Sequence, residues 1–327
     1  MIFIISWYND SMKPSMLAIG NALLDYFYFI NTPFTYTSQE MDMETLDTII
    51  KGFDNGVIVA GGCAANSARV FMALGGEAYY IGAVGTDKEA VLYRQDLEAI
   101  NLPCLLFTKE GRTGKFIVII NENERKIYVN SGVASQFTLP YETLASKAQQ
   151  TDIIHIDGFI GTNPENLEDL IGKVIKTDKP FCFDAGGRKI CQKNKELFKK
   201  IIDRSAYTFV NNDEYEALFD APVGDSLKAV SRTIPGLLIV KRDAQGAVCY
   251  HHENLIESPV RSVKPLDETG AGDSFAAGFL FGVLKGLSLP QCMRFGNTVA
   301  SHVISIPGIK VNETYIKEIA RLFTKDI

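Results

Sequence analysis

Short apolar runs, each closed by a turn and followed by a longer segment of 3.6-residue periodicity, recur along nearly the whole chain. This alternation constrains the fold more than any other feature. The runs at 16–19, 57–60, 78–81, 153–156, 181–183, 208–210, 237–240 and 247–250 have the length and composition of buried strands. Helical patterns with recognisable starts fall between most of them. Asn163-Pro164 joins an N-cap to a first-turn proline ahead of Leu167, Leu170, Ile171 and Val174. Ser288-x-x-Gln291 has the form of a capping box ahead of Met293 and the apolar positions of 299–303. Alternation of this kind specifies an α/β chain with a mostly parallel sheet covered on both faces.

Two stretches break the rhythm. Residues 25–38 are aromatic and extended, and residues 115–130 have the pattern of a hairpin, 115–120 and 126–130, around the polar turn 121–125. Both are expected to stand off the main sheet as a small β lid. An apolar β face left in water is a liability, so the aromatic run 26–30 is the expected surface for a homodimer if the chain is not a monomer. No repeat, low-complexity tract or Gly/Ser/Pro-rich linker divides the chain.

Of the 327 residues, 46% are hydrophobic and 22% charged, with 33 basic against 39 acidic side chains and a net charge of −6. Such a chain can bury a sizeable core, which argues against disorder. It also lacks the basic footprint of a general nucleic-acid binder. No run approaches the 18 apolar residues of a membrane helix. The six cysteines and four histidines show no Cys-x-x-Cys or zinc spacing, and free thiols in the cytoplasm are expected. The apolar first dozen residues read as an extension ahead of the domain.

The segment with most chemistry in it runs from Leu266 to Leu280. Gly270 and Gly272 frame a tight turn, and a helix from Ser274 to about Lys285 follows, with Phe275, Phe279, Val283 and Leu284 on its buried side. Unsatisfied N–H groups at a helix start attract anions, and small residues at 270–272 let an anion come close. Asp273 there is open to two readings, a plain N-cap or a carboxylate that accepts a proton from an attacking hydroxyl. The other glycine patterns of nucleotide enzymes are missing: no Gly-x-Gly-x-x-Gly follows an early strand, and no Gly-x4-Gly-Lys-Ser/Thr occurs.

The sequence Asp267-Glu-Thr-Gly-Ala-Gly-Asp-Ser-Phe275 closely resembles the C-terminal motif of the ribokinase-like (PfkB) carbohydrate kinases, a family that includes adenosine kinases. Three further segments, in family order, are similar to its other motifs. Gly20-Asn-Ala-Leu-Leu-Asp25 resembles the first strand and turn, Gly61-Gly-Cys-Ala-Ala-Asn66 the N-terminal motif, and Asn211-Asn-Asp-Glu214 the Asn-x-x-Glu motif.

The resemblance implies a three-layer α/β/α sandwich with a mostly parallel central sheet and a small β-sheet lid. The kinase domain would span 14–327, with the lid drawn from about 25–60 and 105–135 and residues 1–13 lying outside it. It also implies transfer of the γ-phosphoryl of Mg-ATP to an alcohol. Asp273 would be the general base, and the amides of Gly270, Ala271 and Gly272 the anion hole. Asn21, Asp25, Gly61, Gly62 and Asn66 would hold the acceptor. Asn211 and Glu214 would stand behind Mg²⁺-bound water, and Lys241, Gly246 and Asn297 would border ATP. Asp267, Thr269, Ile304 and Gly308 match the ligands of a monovalent cation, so stimulation by K⁺ is expected.

The chain departs from the family at Val240-Lys-Arg-Asp-Ala-Gln-Gly246, where Lys241 replaces a hydroxyl residue and Asp243 a glycine. Either Lys241 or Arg242 would bring charge to the ATP phosphates. The acceptor is a small molecule, neither nucleic acid nor membrane. The segment Phe181-Cys-Phe-Asp-Ala-Gly-Gly-Arg188 resembles sugar kinases, whereas Thr113-Gly-Lys-Phe116 and Asn130-Ser-Gly-Val-Ala-Ser135 resemble the adenosine-kinase branch. A sugar is the first expectation and adenosine the second. A catalytically silent sugar- or nucleotide-binding sensor is the alternative outside enzymes.

Overall fold

The computed structural model of the chain describes residues 13–31, 37–121, 124–260, 265–266 and 268–305. Nine strands form one large sheet: β1 (Ser15–Ile19), β5 (Glu77–Val84), β6 (Cys104–Thr108), β9 (Ile153–Asp157), β10 (Phe181–Asp184), β11 (Tyr207–Asn211), β12 (Leu237–Lys241), β13 (Ala247–His251) and β14 (Asn254–Ser258). Their order is β14-β13-β12-β11-β10-β9-β1-β5-β6. The pairs from β12 through β6 are parallel, and only β12–β13 and β13–β14 are antiparallel.

Alternate residues of each strand feed two different cores, as the pleat requires. Met16 and Ala18 of β1 point to the side of the helices Cys63–Ala73, Ala271–Leu284 and Leu289–Val303. Leu17 and Ile19 point to the side of Tyr141–Gln149, Pro164–Ile175 and Lys195–Ile202. Both faces being buried explains why these strands are continuous apolar runs. The result is the expected three-layer α/β sandwich.

A second sheet has the order β3-β8-β7-β2-β4, from β2 (Leu23–Phe29), β3 (Thr37–Glu40), β4 (Val57–Gly61), β7 (Thr113–Asn121) and β8 (Glu124–Gly132). The run at 57–60 is therefore a strand, but of this small sheet, where it pairs antiparallel with β2. Conversely β6, inside the span expected for the lid, pairs with β5 in the large sheet. One face of the small sheet, with Leu24, Tyr26 and Tyr28, packs against the helix Met43–Lys51 through Met43 and Leu46. On the other face Phe27 is fully buried among Val59, Val118 and Ile120, so the aromatic run is not an open stripe. Phe29 alone of its aromatics is exposed, at 49%.

A polar joint ties the two sheets together. Asp87 accepts from the Thr113 N–H (2.9 Å) and hydroxyl (2.6 Å) while capping the helix Lys88–Ala99. The fully buried Lys115 ammonium lies 2.5 Å from Asp47 and 2.9 Å from Glu89, one carboxylate on each side of the joint. Among the described residues no helix is long and apolar enough to cross a membrane.

Candidate active site

The parallel strands of the large sheet end in polar residues along one edge, the edge at which open α/β sheets bind ligands. From one side to the other these are Lys241 on β12, Asn211 on β11, Asp184 on β10, Asp157 on β9 and Gly20-Asn21 after β1. Register places Asp184 directly beside Asp157 and Asn211 beside Lys241. Two helices start above this edge, Cys63–Ala73 and Ala271–Leu284, and they pack against each other.

The two segments expected to hold the acceptor meet at the first of these helices. Gly62 has φ +97°, and a Cβ there would lie 2.0 Å from the Asn21 carbonyl oxygen. A Cβ on Gly61 would lie 2.0 Å from the Asp25 carboxylate. These glycines are what let the chain after β1 and the Asp25 side chain lie flat on the helix start. Asn66, in the first turn, is buried and donates to the Asp273 carboxylate at 2.9 Å. Ser67 donates to the Asp273 carbonyl. Neither Asn66 nor Asp273 is a surface residue, and the two motifs that carry them, 207 positions apart, form one site.

The second helix begins three residues earlier than its sequence pattern implied, at Ala271. Gly270, in the left-handed conformation with φ +75°, is its N-cap. The N-cap reading of Asp273 is thereby corrected, since the carboxylate sits in the first turn and caps nothing. Of the three expected anion-hole amides, Ala271 N–H closes a turn onto the Glu268 carbonyl at 3.2 Å. Burial pushes the Asp273 carboxyl up from 3.8 to about 6; the Asn66 amide opposes the rise and Asp184 adds to it. Arg125, from β8 of the small sheet, reaches Glu268 at 2.5 Å, so that sheet touches the loop ahead of the glycine turn.

Lys241 is the basic residue aimed at the turn. Its ammonium is 2.8 Å from Asp184, and a Cβ on Gly272 would be only 3.1 Å from it. Burial disfavours the charged ammonium, but Asp184 and Glu214 outweigh it and raise its pKa. Arg242 instead pairs with Glu257, and Asp243 is exposed in the turn Asp243–Gln245 that Gly246 closes. Glu214 is buried rather than on a solvated helix face. It forms a capping box in which its two oxygens accept from the Asn211 N–H and side-chain amide, both at 2.8 Å. Burial raises its pKa against the pull of Lys241. The Asn297 amide nitrogen is spent on Ser258, 2.6 Å to the carbonyl and 2.9 Å to the hydroxyl.

Of the cation-site residues, Thr269 and Ile304 are described, and the Ile304 carbonyl accepts the Leu266 N–H at 2.8 Å. Asp267 and Gly308 lie outside the described residues, as does all of the 1–13 segment except Lys13. Among the described residues no three Asp, Glu, His or Cys side chains converge to hold a metal directly.

Asp157 lies outside every motif of the sequence, and Asp184 and Cys63, which fall inside quoted segments, were given no role of their own there. Asp157 is 1% exposed and accepts the Phe159 N–H at 2.9 Å. Burial lifts its carboxyl from 3.8 to about 7, the Phe159 amide opposing and Asp273 and Asp184 adding. The Cys63 thiol is pushed well up by burial and then by Asp273 and Asp157, so it stays protonated. Each of the two aspartates is the first charged residue after an apolar strand, which is the signal that could have found them.

A glycine-capped helix start carrying a buried carboxylate, set against the Gly61–Asn66 helix start at the ligand edge of an α/β sheet, is an arrangement suited to a kinase. Residues 41–314 match the model of the pfkB family of carbohydrate kinases. The chain is 30% identical to a nucleoside kinase of Methanocaldococcus jannaschii over 270 residues, which is 80% of this chain and 85% of that one. It is 31% identical over 243 residues to an uncharacterized sugar kinase of Archaeoglobus fulgidus, covering 72% and 95%. The crystal structure of adenosine kinase from Sinorhizobium meliloti superposes with a TM-score of 0.84 at 21% identity, covering 95% of this chain and all of that one. The chain belongs to the PfkB family of carbohydrate kinases.

Proposed function

We propose that the protein transfers the γ-phosphoryl group of ATP to a hydroxyl of a sugar, with Asp273 as general base. In this reading Asp273 takes the hydroxyl proton as the acceptor oxygen bonds to the γ-phosphorus. The bond to the β,γ-bridging oxygen breaks, and ADP leaves. The first-turn amides at Gly270, Ala271 and Gly272 receive the equatorial oxygens, with Ala271 N–H exchanging the Glu268 carbonyl for phosphate. Lys241 adds a fixed positive charge beside Gly272. Positioning and charge neutralisation of this kind account for most catalysis of phosphoryl transfer.

The observation that carries the proposal is the Asn66–Asp273 hydrogen bond, which sets the base against the acceptor motif. Asn21, Asp25, Gly61 and Gly62 complete the acceptor side, and the small sheet acts as the lid. Both Glu214 oxygens are already hydrogen-bonded, so this carboxylate suits the outer sphere of Mg²⁺, through water, rather than direct ligation. Asn211 shares that role, and the ion would supply neutralisation of phosphate charge. Gly246 and Asn297 shape the nucleotide side. Asp267, Thr269, Ile304 and Gly308 are the proposed monovalent-cation ligands.

A nucleoside as acceptor is the second reading, favoured by the name of the Methanocaldococcus relative. An ADP-release assay with Mg-ATP against free sugars, phosphosugars and nucleosides, with and without K⁺, tests both. Turnover with one class assigns the acceptor. ATP binding without turnover on any acceptor would favour the silent sensor and overturn the kinase reading.

A further inference from the structure

Gly61 and Gly62 carry the chain from β4 into the helix Cys63–Ala73 and have no side chains of their own to anchor the turn. The backbone just ahead of them is held by other side chains instead. β4 is the last strand of the small sheet, so one of its edges has no ladder partner. Both main-chain groups of Ala60 turn to that edge. Its N–H donates to Asp96 Oδ2 at 2.9 Å, and its carbonyl accepts from Arg69 Nη2 at 2.8 Å. The same Nη2 donates to the same Oδ2 at 2.8 Å, which closes a ring of hydrogen bonds on one residue. The Tyr93 hydroxyl donates to the next carbonyl, that of Gly61, at 2.8 Å.

Ala60 is 1% exposed, so water cannot serve its peptide groups, and these side chains stand in for a missing strand. Arg69 is itself buried, and its Nε has no hydrogen-bond partner among the described residues. A buried donor is rarely left so; the guanidinium is placed for the Ala60 grip at the expense of its own satisfaction. The partners come from two helices that flank the large sheet, Arg69 from Cys63–Ala73 and the others from Lys88–Ala99. Glu89, Tyr93 and Asp96 are spaced i, i+4 and i+7, along one helix face. Glu89 pairs with Lys115 of β7, so this face grips two strands of the small sheet, one through an ion pair and one through its backbone.

Resting on the kinase reading, we propose that Asp96 and Arg69 are positioning residues for the acceptor. By fixing both peptide groups of Ala60, they set where Gly61-Gly62 lies against Asp25 and the Asn21 carbonyl. They act through the backbone of the turn, without touching the acceptor.

The variants follow from the geometry. Both bonds to Asp96 end on Oδ2, so Asp96→Asn keeps an oxygen for each, whereas Asp96→Leu keeps only the shape. Arg69→Met removes both donated bonds and leaves the Ala60 N–H on Asp96; it carries the comparison if Asp96→Leu fails to fold. Hydrogen exchange of the full chain, read by mass spectrometry without ligand, does not depend on turnover. Residues 57–66 should exchange at least ~10-fold faster in Asp96→Leu and Arg69→Met than in the parent or Asp96→Asn, with β9 to β12 unchanged. Steady-state kinetics then use Mg-ATP and the acceptor that the parent phosphorylates best. Acceptor KM should rise about 10–100-fold in the two disruptive variants, the range for a lost hydrogen bond to a charged group, with kcat and ATP KM within ~3-fold. Asp96→Asn should match the parent. Faster exchange throughout the chain, or ATP KM rising with acceptor KM, would reduce the pair to a stabilising role and overturn the proposal. Unchanged exchange at 57–66, or Asp96→Asn as impaired as Asp96→Leu, would overturn it as well. A parent that phosphorylates no acceptor sinks the kinase reading, and the exchange pattern then decides by itself whether the pair holds the turn.

Discussion

Replacing Asp157 by asparagine should stabilise the protein, and the gain should grow with pH. The carboxyl is 1% exposed, and burial, with Asp273 and Asp184 adding, raises its pKa from 3.8 to about 7. Between those values the folded protein keeps a proton that the unfolded chain has already released. The contribution of this group to stability is therefore highest below the unfolded pKa and falls as pH rises through the folded one. At 1.36 kcal/mol per unit, the penalty at pH 8 is on the order of 4 kcal/mol before relaxation, and water entry lowers it. Asparagine keeps the shape and the 2.9 Å bond from Phe159 N–H but carries no charge to desolvate. Urea unfolding followed by far-ultraviolet circular dichroism, at pH 5 and pH 8, measures the effect for both proteins. Glu214 titrates in the same window in both and largely cancels in the difference, whereas Asp273, which repels Asp157, is relieved in the variant and widens the gap. The stability gap between variant and parent should widen by about 2 kcal/mol from pH 5 to pH 8. A gap independent of pH, or a variant less stable at pH 8, would refute the argument that a buried charge is held here at a cost.

Asp273→Asn should leave ATP affinity within a few-fold while kcat falls by ~10²–10⁴, the scale of a lost general base; near-normal turnover removes it from that role. With the Asp273 carboxyl raised to about 6, the base must be ionised to act, so kcat/KM should fall as pH drops through 6 and level off above it. Gly62→Ala puts a methyl 2.0 Å from the Asn21 carbonyl at φ +97° and should cost roughly 1–3 kcal/mol in unfolding free energy, with a raised acceptor KM as the kinetic signature. Lys241→Met leaves Asp184 and Glu214 buried without their cation and should destabilise by about 3–5 kcal/mol; the double variant with Asp184→Asn should recover part of this, and a failure to recover in denaturant titration would break the pairing argument. Phe27→Asp should unfold the small sheet, whereas Phe29→Asp should change stability by no more than ~0.5 kcal/mol, so light scattering on the Phe29 variant is the clean test of a lid-to-lid dimer.

Residues that act through backbone geometry were legible in the sequence; those that act through strand register were not. Gly62, Asn66, Gly270 and Asp273 occur in short motifs because a glycine turn and a helix start can be written in six or seven consecutive residues. The eight strand runs were legible for a similar local reason, since burial leaves them almost wholly apolar, His155 and Thr208 being the exceptions. What the run at 57–60 could not say was which sheet it joins, because its apolar pattern is the same in either, and only pairing with β2 decides it. The edge strand β14 went unread because most of its residues are exposed, with Ile256 the one apolar side chain packed against the core.

The same division runs through the site. That Asp273 is not the cap turned on the left-handed Gly270, which takes that position. Asp157 and Asp184 each look like an ordinary polar residue ending a strand, 27 positions apart, and they become neighbours only through the β9–β10 register. In the proposed reading phosphate is handled by amides and helix ends, which a chain builds with small residues in a short motif. The carboxylates Asp157 and Asp184 that border the same edge come from different strands, and no contiguous motif records their pairing. That is why this sequence announces a kinase readily and its acceptor poorly.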